Sequence, residues 1–308
     1  MQTPKTYALF ALVCGIFGTT FLAIRTGLDA GASPLLYAGL RFVIAGLVLS
    51  VALFVSGRLS FSAAVSLTPR AALLSVFLTI GTFGCMFIAE TRIDSGLMAR
   101  LDTAGPLLTA LFAAMFLGKR LRPAHGLAFV LGSAGSFLIA SPAALAEPAF
   151  LAAAVGSVLF YAAGNAIYRL LFSSHDDPVA VSALQTLIGG LVLLAAAPLL
   201  ETPAFPAAAL GSLLWLAFAG SVVAHTATLV LIRDAGPVFA SSWLYVAPAV
   251  ATVAGALALG EPITMLGLAG TAAALAGVFV MDRAERKKPA LPSIRPIATM
   301  IKPRGEVG

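Results

Sequence analysis

The chain has 308 residues, of which 60% are apolar and only 10% are Asp, Glu, Lys or Arg, with a net charge of +6. Its mean hydropathy is +1.00, whereas a soluble domain is about 45–50% apolar and about 25% charged. So few charges cannot cover a water-exposed surface. Soluble globular, disordered, collagenous and disulfide-scaffold classes are therefore excluded, and a polytopic membrane protein remains.

A span needs roughly 20 apolar residues, so this length holds about ten with short loops. Breaks at Pro, Gly and charge clusters place them at Tyr7–Gly27, Pro34–Ser56, Arg70–Thr91, Ser95–Leu117, Pro123–Ala140, Ala149–Phe172, Val179–Leu200, Leu210–Ile232, Gly236–Leu259 and Ile263–Met281. Lipid offers no hydrogen-bond partner to an open backbone, and barrel strands would alternate in polarity, so these segments are predicted to be helices. The first run is too long for a signal-peptide core and lacks a small-residue cleavage site, so it reads as a retained span. The chain beyond Met281 is basic and Pro-containing, and is expected to be disordered. Cys14 and Cys85 lie inside apolar runs, with neither metal spacing nor a disulfide framework.

Orientation follows from the cations. With a cytoplasmic N-terminus, Lys5, Arg58, Arg70, Lys119, Arg120, Arg122, Arg169, Arg233 and seven more in the tail fall inside. Only Arg25 and Arg92 fall outside, and Arg41 and Arg100 lie within spans. The positive-inside rule then puts both termini in the cytoplasm. The basic charge is assigned to the membrane surface, with the tail against anionic lipid, and no nucleic-acid partner is expected.

The two halves match at a nearly fixed offset. Arg25/Arg169, Pro34/Pro178 and Gly46/Gly190 are 144 residues apart, and Pro106/Pro248, Gly118/Gly260, Gly135/Gly277 and Phe137/Phe279 are 142 apart. Seven matches in order, with one small shift, predict a repeat over 1–142 and 143–282, followed by the tail at 283–308. Five spans per copy is an odd number, so the second copy must be inverted. Charge agrees: Lys119-Arg120 follows Gly118, whereas Glu261-Pro262 follows Gly260. Inverted repeats are a transporter design; a duplicated scaffold without transport is the alternative.

The run Gly18-Thr-Thr-Phe-Leu-Ala-Ile-Arg25, then Arg41-Phe42, and Pro106 followed by Leu117-Gly118, resemble an EamA-type permease of the drug/metabolite transporter superfamily. Pro248, Leu259-Gly260-Glu261 and Gly277-Val278-Phe279 repeat the signature, so the resemblance covers the chain to about Met281. It implies an all-α, ten-helix carrier of the bacterial inner membrane, often an exporter of amino acids and other small metabolites. It also implies a central cavity lined by the first four helices of each half, with the fifth pair at the periphery. Two residues depart from the pattern: Lys119 replaces the acid after Leu-Gly, and Phe17 replaces the Trp before the first-span glycine. Subfamily and substrate stay open.

Several polar residues inside spans are candidate site residues. Tyr161, Asn165 and Tyr168, at i, i+4 and i+7, share one face of the sixth span. That face either lines a cavity or holds interfacial tyrosines and an asparagine bonded to a neighbouring helix. Ser241, Tyr245 and Pro248 share a face of the ninth span, beside Ser242 and Trp243, where proline weakens the backbone ladder; packing or interface anchoring is the alternative. Gln185 matches Arg41 in the other repeat, and His225 can titrate near neutral pH. Both are substrate-site candidates, with helix–helix hydrogen bonding as the alternative. His125 and His175 lie in loops or at span ends, so no metal cluster and no cofactor is expected.

Arg41 and Asp102 each lie seven residues into spans entered from outside, about 10 Å deep at 1.5 Å per residue. Unpaired intramembrane charges are costly. An Arg41–Asp102 ion pair across the outer half of the cavity is therefore expected, with Arg100 joining it or snorkelling outward. The trio either gates transport or couples it to protons, or else forms a static bridge. Gly132 with Ser136, and Gly270 with Ala274, are small-xxx-small pairs for close helix packing, with a homodimer contact as an alternative use.

These readings converge on a secondary carrier working by alternating access, whose substrate is small, neutral or zwitterionic, such as an amino acid. No metal-ligand spacing, phosphate-cradling loop or nucleophile–base pair suggests an enzyme. A channel is the first alternative and a membrane-embedded enzyme the second.

Overall fold

The computed structural model describes residues 3–93, 95–139, 147–250 and 265–286. The loop from Gly260 to Pro262, the end of the ninth predicted span, the tail beyond Arg286 and the side chains of Arg100 and Ser136 lie outside the described residues. The described residues are all-helical, with no strand among them. In chain order the helices are α1 (Pro4–Asp29), α2 (Pro34–Val55), α3 (Phe61–Ala89), α4 (Ser95–Asp102), α5 (Gly105–Leu117) and α6 (Pro123–Ile139). Then follow α7 (Pro148–Leu171), α8 (Pro178–Leu200), α9 (Ala207–Ala235), α10 (Pro237–Val250) and α11 (Met265–Arg286).

Local chemistry sets the helix ends. Proline opens α1, α2, α7 and α8, where its missing N–H costs nothing and its fixed φ suits the first turn. Thr3, Ser60 and Asp177 cap α1, α3 and α8 by accepting from the N–H groups of Thr6, Ala63 and Val179. Gly118, at φ 63°, supplies the left-handed residue that ends α5. Helices α1, α2, α3, α7, α8 and α9 are long and apolar enough to cross a membrane, and α5 and α10 are shorter apolar helices. Val55, Leu199 and Met265 are more than 80% exposed, as lipid-facing side chains are.

Three predicted spans differ from the helices observed, the last of them because α11 runs past Met281 to Arg286, into the segment expected to be disordered. The third begins earlier, at Phe61, because Ser60 caps it there. The fourth is broken into α4 and α5 at Thr103-Ala104, just before Pro106, which sits in the first turn of α5 and cannot continue a hydrogen-bond ladder. The middle of α3 (Val76–Gly84) and of α9 (Leu216–His225) is π-helical, a wide turn often found at functional positions.

Two antiparallel helix pairs carry the closest packing. Helix α2 lies against α8, and a Cβ on Gly46 would stand 2.5 Å from the Leu187 nitrogen. One on Gly190 would stand 2.7 Å from the Val43 nitrogen. Gly46/Gly190 and Val43/Leu187 are both 144 apart, so each contact is the other with the halves exchanged. Helix α6 lies against α11 in the same way: Gly135 meets Ala274 and the Gly270 carbonyl, and Gly277 meets Gly132 and the Ala128 carbonyl. These partners exchange at an offset of 142. Reciprocal contact of this kind is what a two-fold axis produces. Gly132, Gly270 and Ala274 are thus buried in a contact within one chain.

Polar contacts tie the helix ends together. At one end, Arg58 pairs with Asp177 (2.7 Å) and Arg70 with Asp176 (3.2 Å). Burial pushes the Asp176 carboxyl up, but the N–H and hydroxyl of Ser173 and the Arg70 guanidinium outweigh this and hold it below the usual carboxylate range. At the opposite end, the Glu201 carboxylate accepts from the N–H groups of Leu35 (3.1 Å) and Leu36 (2.8 Å), at the positive end of α2.

Candidate functional site

A cavity lies between the halves. Its wall takes Phe17, Thr20 and Phe21 from α1, Leu78, Thr82, Phe83 and Met86 from α3, and Asp102 from α4. From the second half come Ser157, Tyr161 and Asn165 on α7, His225, Thr228 and Leu229 on α9, and Trp243 and Leu244 on α10. Helices α2 and α8 stand behind this wall. The cavity leaves about 30 Å³ for the centres of water-sized molecules, room for one or two waters. A metabolite needs it to widen.

Five of the sequence-derived candidates, Asp102, Tyr161, Asn165, His225 and Trp243, share this wall. The Trp243 Nε1–H donates to the Tyr161 hydroxyl at 2.8 Å, with the two rings perpendicular, and Phe17 packs on Trp243 at 4.5 Å between centroids. This aromatic cluster suits an apolar or ring-bearing ligand. Asn165 is buried, and neither its Oδ1 nor its Nδ2 makes a hydrogen bond. The Tyr161 hydroxyl lies near it without reaching hydrogen-bond geometry. Such an amide costs free energy unless something pairs with it.

Behind the wall, polar side chains join the halves. The Arg41 Nε–H donates to the Ser221 hydroxyl (2.8 Å), and the Thr79 hydroxyl donates to Gln185 Oε1 (2.7 Å). Arg41 and Gln185 are 144 residues apart and Thr79 and Ser221 are 142 apart, so the two bonds correspond at the offsets found in the sequence. Each joins a second helix of one half to the π segment of the other. Gln185 Nε2 bonds His225 Nε2. An amide nitrogen can only donate, so with this assignment the ring proton lies on Nδ1. Gln185 therefore orients a wall residue instead of lining the wall.

The remaining candidates lie elsewhere. Tyr168 is buried at the far end of α7 against Phe172, at 5.2 Å between ring centroids. Tyr245 is buried against Gly132 of α6. The Ser241 and Ser242 hydroxyls return to the carbonyls of Val238 and Phe239 in their own helix.

The expected Arg41–Asp102 ion pair is not formed. Arg41 is fully buried, and its guanidinium lies 4.8 Å from the Phe42 ring centroid and 4.7 Å from that of Phe83. It is turned toward α9, whereas Asp102 lies on the cavity wall. Cation–π contact with two rings replaces part of the lost hydration, but Nη1 and Nη2 make no hydrogen bond. A further acid, Glu90, escaped the sequence reading. It sits one residue from the end of the predicted third span, where nothing distinguishes it from an ordinary interfacial carboxylate. In the structure it is fully buried, and neither carboxylate oxygen has a partner.

Described residues that are all helical, with six helices long and apolar enough to cross a membrane and apolar outer faces, mark a multi-pass membrane protein. The chain belongs to the EamA-like transporter family, which matches residues 4–141 and 149–282. It is 28% identical over 305 residues to the uncharacterized inner membrane transporter YedA of Escherichia coli, covering 96% of this chain and 95% of that protein. It is also 28% identical over 287 residues to the uncharacterized transporter YvbV of Bacillus subtilis, covering 87% and 89%. Protein PecM of Dickeya dadantii is 27% identical over 291 residues, covering 90% and 92%. One crystal structure shares the fold at a TM-score of 0.76 and 19% identity, over 92% of this chain and 99% of that one. Family and relatives point to a transporter rather than an enzyme.

Proposed function

We propose that this protein is a secondary carrier that exports a small neutral or zwitterionic metabolite, such as an amino acid with an apolar or aromatic side chain. Ten spans form two inverted five-helix halves, 1–142 and 143–282, which work by alternating access. The observation that carries the reading is the cavity wall: aromatic side chains and an unpaired buried amide, contributed by both halves. The reciprocal contacts of α2 with α8 and of α6 with α11 support the inversion, because exchanging two similar halves opens first one side and then the other. The distribution of Lys and Arg supports cytoplasmic termini in a bacterial inner membrane.

Counterflow tests the reading. Purified protein in liposomes loaded with an unlabelled amino-acid and metabolite pool should take up the matching labelled solute, with saturation. Conductance without saturation or counterflow would make the protein a channel and overturn the carrier.

A further inference from the structure

Glu90 follows the last turn of α3, its N–H bonded to the Met86 carbonyl at 2.9 Å. Its side chain is fully enclosed, with both carboxylate oxygens unpartnered. The negative end of the α3 dipole points at it, which further disfavours an anion there. An ionised carboxylate in such a place has lost its water and gained no donor, so the neutral acid is the favoured form.

The charged and titratable groups around Glu90 come from three other helices. Arg25 of α1 spends Nη1 on the backbone carbonyl of Glu90 (3.1 Å) and Nε on Asp29 (2.9 Å). The Tyr37 hydroxyl of α2 is engaged by the Ala23 carbonyl (3.0 Å) and the Ser212 hydroxyl (2.7 Å). Asp102 of α4 is an acid and repels a second negative charge. Arg41 of α2, within electrostatic reach of Glu90, keeps two unbonded guanidinium ends. A buried acid and a buried cation, each lacking what the other offers, stand apart with Tyr37 packed on Phe87 and Arg41 on Phe83.

The second half does not echo this arrangement. The positions matching Arg41 and Asp102 are Gln185 and Leu244, both uncharged. A bridge needed only to hold the fold would be expected twice, as the Gly46 and Gly190 contacts are. A charge cluster at one end of one half points to a task performed from one side.

We propose that Glu90 is the exchangeable-proton site of the carrier. In this conformation it holds a proton on a carboxyl oxygen. When the Arg25 end opens, that proton passes to water, and the carboxylate left behind pairs with the free guanidinium nitrogens of Arg41. Reprotonation from water reverses the step and frees Arg41 again. Glu90 is not on the cavity wall, so it acts on the energy source and not on solute recognition.

The inference rests on the carrier reading, and the test separates the two. With the solute found by counterflow, wild-type liposomes should accumulate it when a pH gradient is imposed. Glu90→Gln should keep counterflow and lose gradient-driven accumulation entirely. Counterflow without gradient-driven accumulation in wild type, or full gradient-driven accumulation in Glu90→Gln, would overturn the proposal while sparing the carrier. Infrared spectra of the purified protein at neutral pH decide the protonation itself, even if no solute is found. The carboxylic-acid C=O band should be weakened in Glu90→Gln and shifted in Glu90→Asp. An unchanged band in both variants would show that Glu90 is ionised and end the proposal.

Discussion

Replacing Gly46 or Gly190 by alanine tests the relation between the halves at its tightest contact. Each new methyl would stand 2.5 or 2.7 Å from a backbone nitrogen of the facing helix, where ordinary contact begins at 3.4 Å. A backbone atom cannot rotate away as a long side chain can, so α2 and α8 must part by roughly an ångström along part of their length. Overpacking of this kind costs about 1–3 kcal/mol, against a gain of about 0.5–1 kcal/mol from alanine in a helix. A net loss of about 1–2 kcal/mol lowers the folded-to-unfolded ratio by a factor of about 5–30. Denaturant titration of the purified protein in detergent should show this for both variants. Gly15→Ala and Gly211→Ala, where a new Cβ meets nothing within 4 Å, should be neutral or slightly stabilising. Because one separation of the helices relieves both clashes, the double variant should lose less than the sum of the singles. If Gly46→Ala and Gly190→Ala behave like the controls, the close two-fold contact does not exist.

Asn165→Leu removes a buried amide that has no partner, so stability should hold or rise while apparent solute affinity weakens by about 1–3 kcal/mol; thermal unfolding and counterflow read the two effects separately, and unchanged affinity would remove Asn165 from the site. Asp176→Asn should destabilise the protein at neutral pH, because a carboxyl held below its ordinary range contributes stability above its unfolded pKa and loses it as pH falls through the folded one. The gap in melting temperature between wild type and variant should therefore close below about pH 4, and a gap independent of pH would contradict the pairing with Arg70. Single cysteines at Ser174 and Thr202, both exposed, in a background without Cys14 and Cys85, report orientation. An impermeant maleimide should label Thr202→Cys in intact cells and Ser174→Cys only after lysis, and the opposite pattern would invert the topology.

What was legible in the sequence, and what was not, follows from the range over which each signal acts. Proline at the start of α2, α7 and α8 fixes those ends locally, and the observed helices begin at Pro34, Pro148 and Pro178. The break at Thr103-Ala104 was read through as one span, although Arg100, Asp102 and Pro106 flank it in the sequence. Helical spacing put Tyr161 and Asn165 on one face, and both side chains line the cavity. Tyr168, another turn along, falls past the end of the cavity, because a shared face says nothing about where a cavity stops.

Partners across the fold were least legible. Arg41 and Asp102 were matched by depth alone, but depth does not give the direction in which a helix face points, and Arg41 turns to Ser221 on α9. The two offsets were the better guide, since 144 takes Arg41 to Gln185 and 142 takes Thr79 to Ser221, the partners in the Arg41–Ser221 and Thr79–Gln185 bonds. Repetition reveals what both halves share, and for that reason it is silent on Glu90 and Asp102. Glu90 became conspicuous only through burial and missing partners, which are properties of the packed molecule. On the carrier reading, Gln185 and Leu244, the uncharged residues at the positions matching Arg41 and Asp102, set the two halves apart, and Glu90 lies within electrostatic reach of both charges.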